Sequence, residues 1–171
     1  MISPAHVRLM ARYNRWQNTS LYTAANTLDE AERRADRGAF FRSIHTTLAH
    51  ILWGDEAWMA RLADRPFPEG KGLEAEFLET RDWNDLCRER EAFDAWLIGW
   101  ADALTQADIE PDLHWTSSTG KGKFVTPRWV CLTHLFNHQT HHRGQVHAML
   151  TAAGATPEDT DIPFMPDAPW V

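Results

Sequence analysis

Several features that would assign this chain to a common class are absent or scarce. Only two cysteines occur, Cys87 and Cys131, and they form no C-x-x-C pair. So few thiols argue against a disulfide-stapled secreted fold and favour a reduced compartment, where both cysteines have packing roles. No apolar run approaches the roughly 18 residues of a membrane span, and the N-terminus has no basic segment followed by an apolar one. We therefore expect a cytoplasmic protein with no membrane partner.

Positive charge is also scarce. The formal net charge is −7, and the only basic-rich run, residues 32–37, is interleaved with acids. Because nucleic-acid-binding proteins concentrate Lys and Arg on one face, the sequence predicts no nucleic-acid partner. His-Glu-x-x-His, Glu-x-x-His, the phosphate loop, the dinucleotide fingerprint and the Gly-x-Ser-x-Gly elbow are all missing. Zincin proteases, di-iron bundles, nucleotide-binding enzymes and serine hydrolases therefore have no support.

Apolar and aromatic residues, by contrast, are abundant. The 171 residues are 43% hydrophobic and include nine tryptophans, enough to bury the core of one domain, which we place at residues 1–171. Apolar residues recur with helical spacing between Pro- and Gly-rich breaks. This spacing predicts long helices over about residues 4–28, 40–63, 82–105 and 127–153. Ser3 and Gly154 would cap the first and the last of them.

The breaks between these helices carry two further predictions. Residues 113–125 alternate around a Gly-containing turn, which indicates a β-hairpin directly before the last helix. Residues 73–80 have the pattern of a short helical turn. The fold class is therefore all-α: a four-helix bundle with a small β-hairpin before the last helix. The proline-rich tail should be extended and pack through Ile162, Phe164 and Trp170.

Histidine is concentrated in the predicted last helix. Five of the nine histidines lie between His134 and His147. His138 and His142 are four residues apart and share one helix face, so their rings can reach one ion about 2.0–2.1 Å from each. A third ligand must come from elsewhere, and His50 in the second predicted helix is the best candidate. Such pairs are also common on solvated helix faces or as buried histidines, and the residues alone leave that alternative open.

The surroundings of His50 favour it over the neighbouring histidine. His45 lies about 140° away around the helix at 100° per residue, so both rings cannot serve one site. The face that carries His50 also carries Thr47, Gly54 and Ala57, which are small enough to leave room for an ion and a substrate. Trp53 and Trp58 in the same helix would wall an apolar pocket.

The remaining residues of the histidine-rich segment have weaker claims. His134 lies one turn before the pair. It either contacts a ligand ring or borders a cavity, or it packs against the fold or is exposed to solvent. His141 and His147 point off the axis of the pair and should lie at the surface or an interface. Gln145 follows His142 by three residues, so it either hydrogen-bonds a ligand ring or substrate or is solvated.

Three ordered motifs resemble the DinB (DNA-damage-inducible) superfamily of four-helix-bundle metalloenzymes, over nearly the full chain. Residues Tyr13–Asn18 resemble the opening Tyr-Asn-x-Trp-x-Asn helix of that family. Residues Phe41–Trp58 resemble its second-helix segment, which ends in a ligand histidine and a downstream tryptophan. Residues Asn137–Gln145 resemble its most diagnostic stretch, Asn-His-x-x-x-His-Arg-Gly-Gln. The family name records induction by DNA damage and does not imply DNA contact.

The resemblance implies a metal site and a class of chemistry. The family's ligands fall on His50, His138 and His142, which leave a divalent ion an open position. Zn²⁺ is the first choice, and Ni²⁺ or Fe²⁺ also suit imidazole ligands. Characterised relatives include low-molecular-weight-thiol transferases and a thiol-dependent isomerase, which implies a thiol S-transferase that acts on small electrophiles. Dimers are frequent among relatives, so we expect a homodimer. The alternatives are a non-enzymatic metal-binding stress-response protein and a purely structural bundle.

Overall fold

The predicted four-helix bundle with one hairpin is confirmed. The computed structural model describes residues 1–166. The long helices are α1 (Pro4–Asn26), α3 (Ile44–Leu62), α5 (Trp83–Ala103) and α7 (Arg128–Ala152). The short helices are α2 (Glu30–Arg34), α4 (Ala75–Glu79) and α6 (Gln106–Ile109). A 3₁₀ turn, Ile162–Phe164, follows α7 in the tail.

The ends of the helices follow their capping chemistry. The hydroxyl of Ser3 accepts the amide N–H of His6, and Pro4 occupies the first turn of α1 as expected. Gly154 has a φ of +83° just after α7, where glycine costs least. The start of α3 differs from the prediction: it begins at Ile44 because Ser43 and Thr46 form a capping box there.

The core lies where the four long helices face one another. α3 packs against α7, and α1 packs against α5 and α7. The largest fully buried side chains are mostly leucine and isoleucine, and they include Leu48, Ile51, Leu97 and Leu132. Because α3 and α7 are direct neighbours, residues on their facing sides meet across the bundle.

A polar network crosses the same core. Arg90 in α5 forms buried salt bridges with Asp55 at 2.6 Å and with Asp94 at 2.7 Å. The side-chain amide of Asn18 in α1 donates to Asp94 at 3.0 Å. Burying a charge is costly unless it is paired. These contacts therefore restrict the rotation of α1, α3 and α5 relative to one another.

The hairpin packs beside the C-terminal part of α3, where Trp115 contacts Trp58, and the tail runs along α1. Strands β1 (Asp112–Thr116) and β2 (Lys123–Pro127) pair antiparallel as predicted, with Trp115 opposite Phe124. The prediction for the tail is wrong at Phe164, whose side chain is 68% exposed. Met165 is buried in its place, against Tyr13, while Trp170 lies outside the described residues. No helix within residues 1–166 has the length and apolar content of a membrane span.

Candidate metal centre

Three histidines converge between α3 and α7. One ring nitrogen from each of His50, His138 and His142 lies within 4.8 Å of the other two. The Nε2 atoms of His50 and His138 are 3.1 Å apart. Two nitrogens that bind one ion at about 2.0–2.1 Å, with an angle of about 90–110° between them, are separated by about 2.8–3.4 Å. The structure therefore brings together the three ligands expected from the sequence, in a group that can hold a metal ion.

Hydrogen bonds orient two of the three rings. Nδ1 of His50 donates to the carbonyl oxygen of Gly72 at 2.7 Å, in the tautomer we assign. Nδ1 of His142 likewise donates to Oε1 of Gln145 at 2.8 Å. Of the two alternatives for Gln145, a hydrogen bond to a ligand ring is therefore the one observed. A ring that donates through Nδ1 keeps its lone pair on Nε2, and such outer partners fix ring orientation at metal sites. Both lone pairs are thus available to one ion.

The third ring is placed by a glycine. His138 packs across Gly54 of α3, where a Cβ atom would lie only 2.9 Å from Cε1 of the ring. Nδ1 of His138 is buried and has no hydrogen-bond partner within residues 1–166. The ring therefore meets polar partners only on its Nε2 side, which faces His50.

Burial keeps all three rings uncharged near neutral pH. It lowers the pKa of His50 to about 4 and the pKa of His138 to about 3, since a charged imidazole loses its hydration inside the bundle. The pKa of His142 is lowered for the same reason, although its hydrogen bond to Gln145 acts in the opposite direction. A neutral imidazole is the form that binds a metal, so the site does not have to lose protons first at pH 7.

Two residues that contact the centre were not identified from the sequence. The ring of Phe41 stacks on His50 with centroids 3.8 Å apart and also lies 5.5 Å from the ring of His142. The sequence predicts Phe41 inside the second helix, over about residues 40–63, whereas it lies in the turn before α3. For Gly72 the sequence predicts only a Pro- and Gly-rich break after that helix. A Cβ there would lie 2.0 Å from the indole of Trp53, so only glycine lets this carbonyl reach His50.

A cavity of about 360 Å³ opens beside the histidines, in the size range of small-molecule sites. Gly54 and Ala57 border it, and so do Trp53 and Trp58, as expected from the sequence. Thr47 does not: its hydroxyl donates to the carbonyl of Ser43. The rest of the wall comes from the last turn of α3, the loop that follows α3, the hairpin, and α7: Arg61, Leu73, Trp115, Ser117, Ser118, Thr119, Lys121, His134 and His138.

The other histidines lie outside the cluster. His45 is buried elsewhere on α3 and is 1% exposed, in agreement with its helical angle. His134 borders the cavity, with its ring 4.8 Å from that of Trp58. His141 is exposed and His147 is half-buried. His134 therefore combines two of the alternatives, because it borders the cavity and is exposed to solvent.

Comparison with known proteins agrees with this architecture. The sequence model of the DinB family matches residues 1–170. This chain belongs to the DinB family. Protein DinB of Bacillus subtilis (strain 168) is 23% identical over 149 residues, which cover 87% of each chain. The crystal structure of a DinB-like protein from Bacillus cereus ATCC 10987 superposes with a TM-score of 0.57 at 18% identity, covering 84% of this chain and 90% of the other. That structural likeness shows the shared DinB fold.

Proposed function

We propose that this DinB-family protein binds one divalent ion through Nε2 of His50, His138 and His142, with Zn²⁺ as the first choice and Ni²⁺ or Fe²⁺ as alternatives. The observation that carries the proposal is the convergence of three uncharged imidazoles whose nitrogens lie within 4.8 Å of one another. Elemental analysis of purified protein should find one ion per chain. His142→Ala should lose it, whereas His141→Ala, a change of the exposed neighbouring residue, should keep it. Full metal content in His142→Ala would refute the assignment.

We further propose that the site is catalytic and that its reaction is the transfer of a small thiol to an electrophile. Three protein ligands leave one open position, whereas a closed structural site has four. An ion held by the three histidines would stabilise a thiol there as the thiolate, which is the nucleophilic form. Gly54 and Ala57 leave room for the two reactants, and the indoles of Trp53 and Trp58 give the cavity an apolar wall.

Conjugation of thiols to 1-chloro-2,4-dinitrobenzene tests this activity, because attack of the thiolate on the ring carbon forms the C–S bond and releases chloride. Metal-loaded wild type and His141→Ala should both react faster than the uncatalysed mixture. His138→Ala should fall to the uncatalysed rate, since it removes a ligand from the open site. Equal rates for wild type and His138→Ala across several thiols and metals would instead favour a non-enzymatic metal-binding stress-response protein.

A further inference from the structure

Two cations line the cavity of this otherwise acidic protein. Arg61 reaches it from the last turn of α3 and Lys121 from the turn of the hairpin. No acidic side chain borders the cavity within residues 1–166, and neither cation forms a salt bridge within that range. Of the ten other arginines that are partly or fully buried within residues 1–166, five have a carboxylate partner, as Arg90 does with Asp55. Positive charge is thus concentrated at one side of the cavity without an internal counter-charge.

The guanidinium of Arg61 is held in a fixed place. Its central carbon lies 5.0 Å from the ring centroids of Trp58 and Phe67 and 5.5 Å from that of Trp115. One of its N–H groups donates to the carbonyl of Ala57 at 2.9 Å and another to the carbonyl of Thr116 at 3.4 Å. Aromatic faces stabilise a cation but do not neutralise it, so the remaining N–H groups keep their affinity for an anion. Burial lowers the pKa of Arg61, yet a guanidinium stays charged at neutral pH.

The distance from this cation to the metal centre follows from the helix. Arg61 is eleven residues after His50 on α3, which is about 16 Å along the axis at 1.5 Å per residue. Its guanidinium folds back one turn to the carbonyl of Ala57, seven residues after His50. The separation along the axis is therefore about 10 Å. A small organic molecule can span that length.

We propose that this side of the cavity is an anion subsite, and that the small molecule that reaches the three histidines carries a carboxylate bound by Arg61 and Lys121. The planar guanidinium matches a carboxylate through two parallel hydrogen bonds, and the ammonium of Lys121 adds a second charge. The hydroxyls of Ser118 and Thr119 border the same region and offer further donors. This proposal depends on the proposed function only for the reaction at the other end of the ligand, beside the three histidines.

The first arm of the test does not depend on metal or thiol. Calorimetry at low ionic strength compares 3-phenylpropionate with its neutral amide, 3-phenylpropionamide. Wild type should bind the acid at least tenfold more tightly than the amide, because a hydrogen bond to a charged group contributes about 1.5–3 kcal/mol. The preference should disappear in Arg61→Gln, weaken in Lys121→Gln and survive in part in Arg61→Lys. Arg88→Gln, which removes an exposed cation of α5, should leave it unchanged.

The second arm uses the zinc-loaded protein and two thiols of equal length, 6-mercaptohexanoate and 6-mercaptohexanol. Wild type should bind the acid more tightly, and Arg61→Gln should bind both alike, with the affinity for the alcohol unchanged. Thermal melting checks that each variant is folded, and Arg61→Lys serves if the glutamine variant is not. If neither thiol binds while the first arm succeeds, the thiol chemistry fails and the anion subsite stands. If both thiols bind alike and wild type shows no acid preference in either arm, the subsite is refuted and the thiol chemistry stands.

Discussion

Replacing Gly54 by alanine should separate metal affinity from folding stability. The added Cβ would lie 2.9 Å from Cε1 of His138, whereas ordinary contacts begin at 3.4 Å, so the ring must retreat by about 0.5 Å. Metal sites tolerate ligand distances within only about ±0.2 Å of ideal. We therefore expect zinc affinity to fall about tenfold to a hundredfold, the size of effect seen when the support of a ligand ring is lost.

Folding stability should move in the opposite direction. Alanine is a better helix former than glycine by about 0.8–1 kcal/mol, and the imidazole that it displaces is the far end of a side chain. Measured with a chelator present, the free energy of unfolding of Gly54→Ala should therefore equal or exceed that of wild type. Gly99→Ala is the matched control, because Gly99 lies inside α5 with nothing within 4 Å of the added Cβ. It should gain helix stability and keep the wild-type affinity for zinc.

Competition with a chromophoric zinc chelator measures the affinities, and urea unfolding measures the stabilities. Equal zinc affinity in Gly54→Ala and Gly99→Ala would show that His138 does not need its observed position, and the reasoning would fail. A large loss of stability in Gly54→Ala would also contradict it, since the affinity change would then reflect a damaged fold.

Three further outcomes are expected. Metal should stay bound as the pH falls from 7 to about 5, because burial lowers the pKa of His50 to about 4 and of His138 to about 3; release already at pH 6 in a titration followed by elemental analysis would contradict this. Burial also lowers the pKa of His45 from 6.5 to about 4, so its contribution to stability is present above pH 6.5 and is lost as the pH falls toward 4. The unfolding free energy of wild type minus that of His45→Gln should therefore drop by about 2 kcal/mol between pH 7 and pH 5, and a constant difference would refute it. Nine tryptophans in a small bundle favour a homodimer, which light scattering at tens of micromolar tests; a monomer mass would be the contrary result.

The parts of the fold that the sequence predicted are those governed by local rules. Helical spacing of apolar residues located all four long helices to within a few residues, and the spacing of four put His138 and His142 on one face. The start of α3 was missed by four residues because the apolar pattern runs back to Phe40, while the capping box at Ser43 decides the boundary. Local sequence patterns did not show which residues of different helices meet in the fold. His50 was chosen over other histidines through its small neighbours and the family resemblance.

The contacts missed at the centre share a different cause. Phe41 and Gly72 approach His50 from two connecting segments, and neither segment has a repeating pattern that fixes its path. The path of the segment that contains Gly72 depends on a close approach between its backbone and the indole of Trp53, nineteen residues earlier. Loop geometry of this kind depends on long-range packing, so composition reveals only that a helix stops there.

Polar residues of the family motifs help to fix the direction in which the histidine side chains point. Arg143 directly follows His142, and its guanidinium donates to Oδ1 of Asn14 in α1 at 2.6 Å, with both side chains buried. Turning α7 about its axis to redirect His142 would break this hydrogen bond to a buried charge, at a cost of about 1.5–3 kcal/mol. The guanidinium would keep only its 3.4 Å contacts with Gln139 and Thr140 on α7 itself. Apolar packing alone tolerates such small rotations, because leucines can exchange neighbours. The direction in which His142 points is therefore set by a hydrogen bond between α7 and α1, as well as by the helix on which the ligand sits.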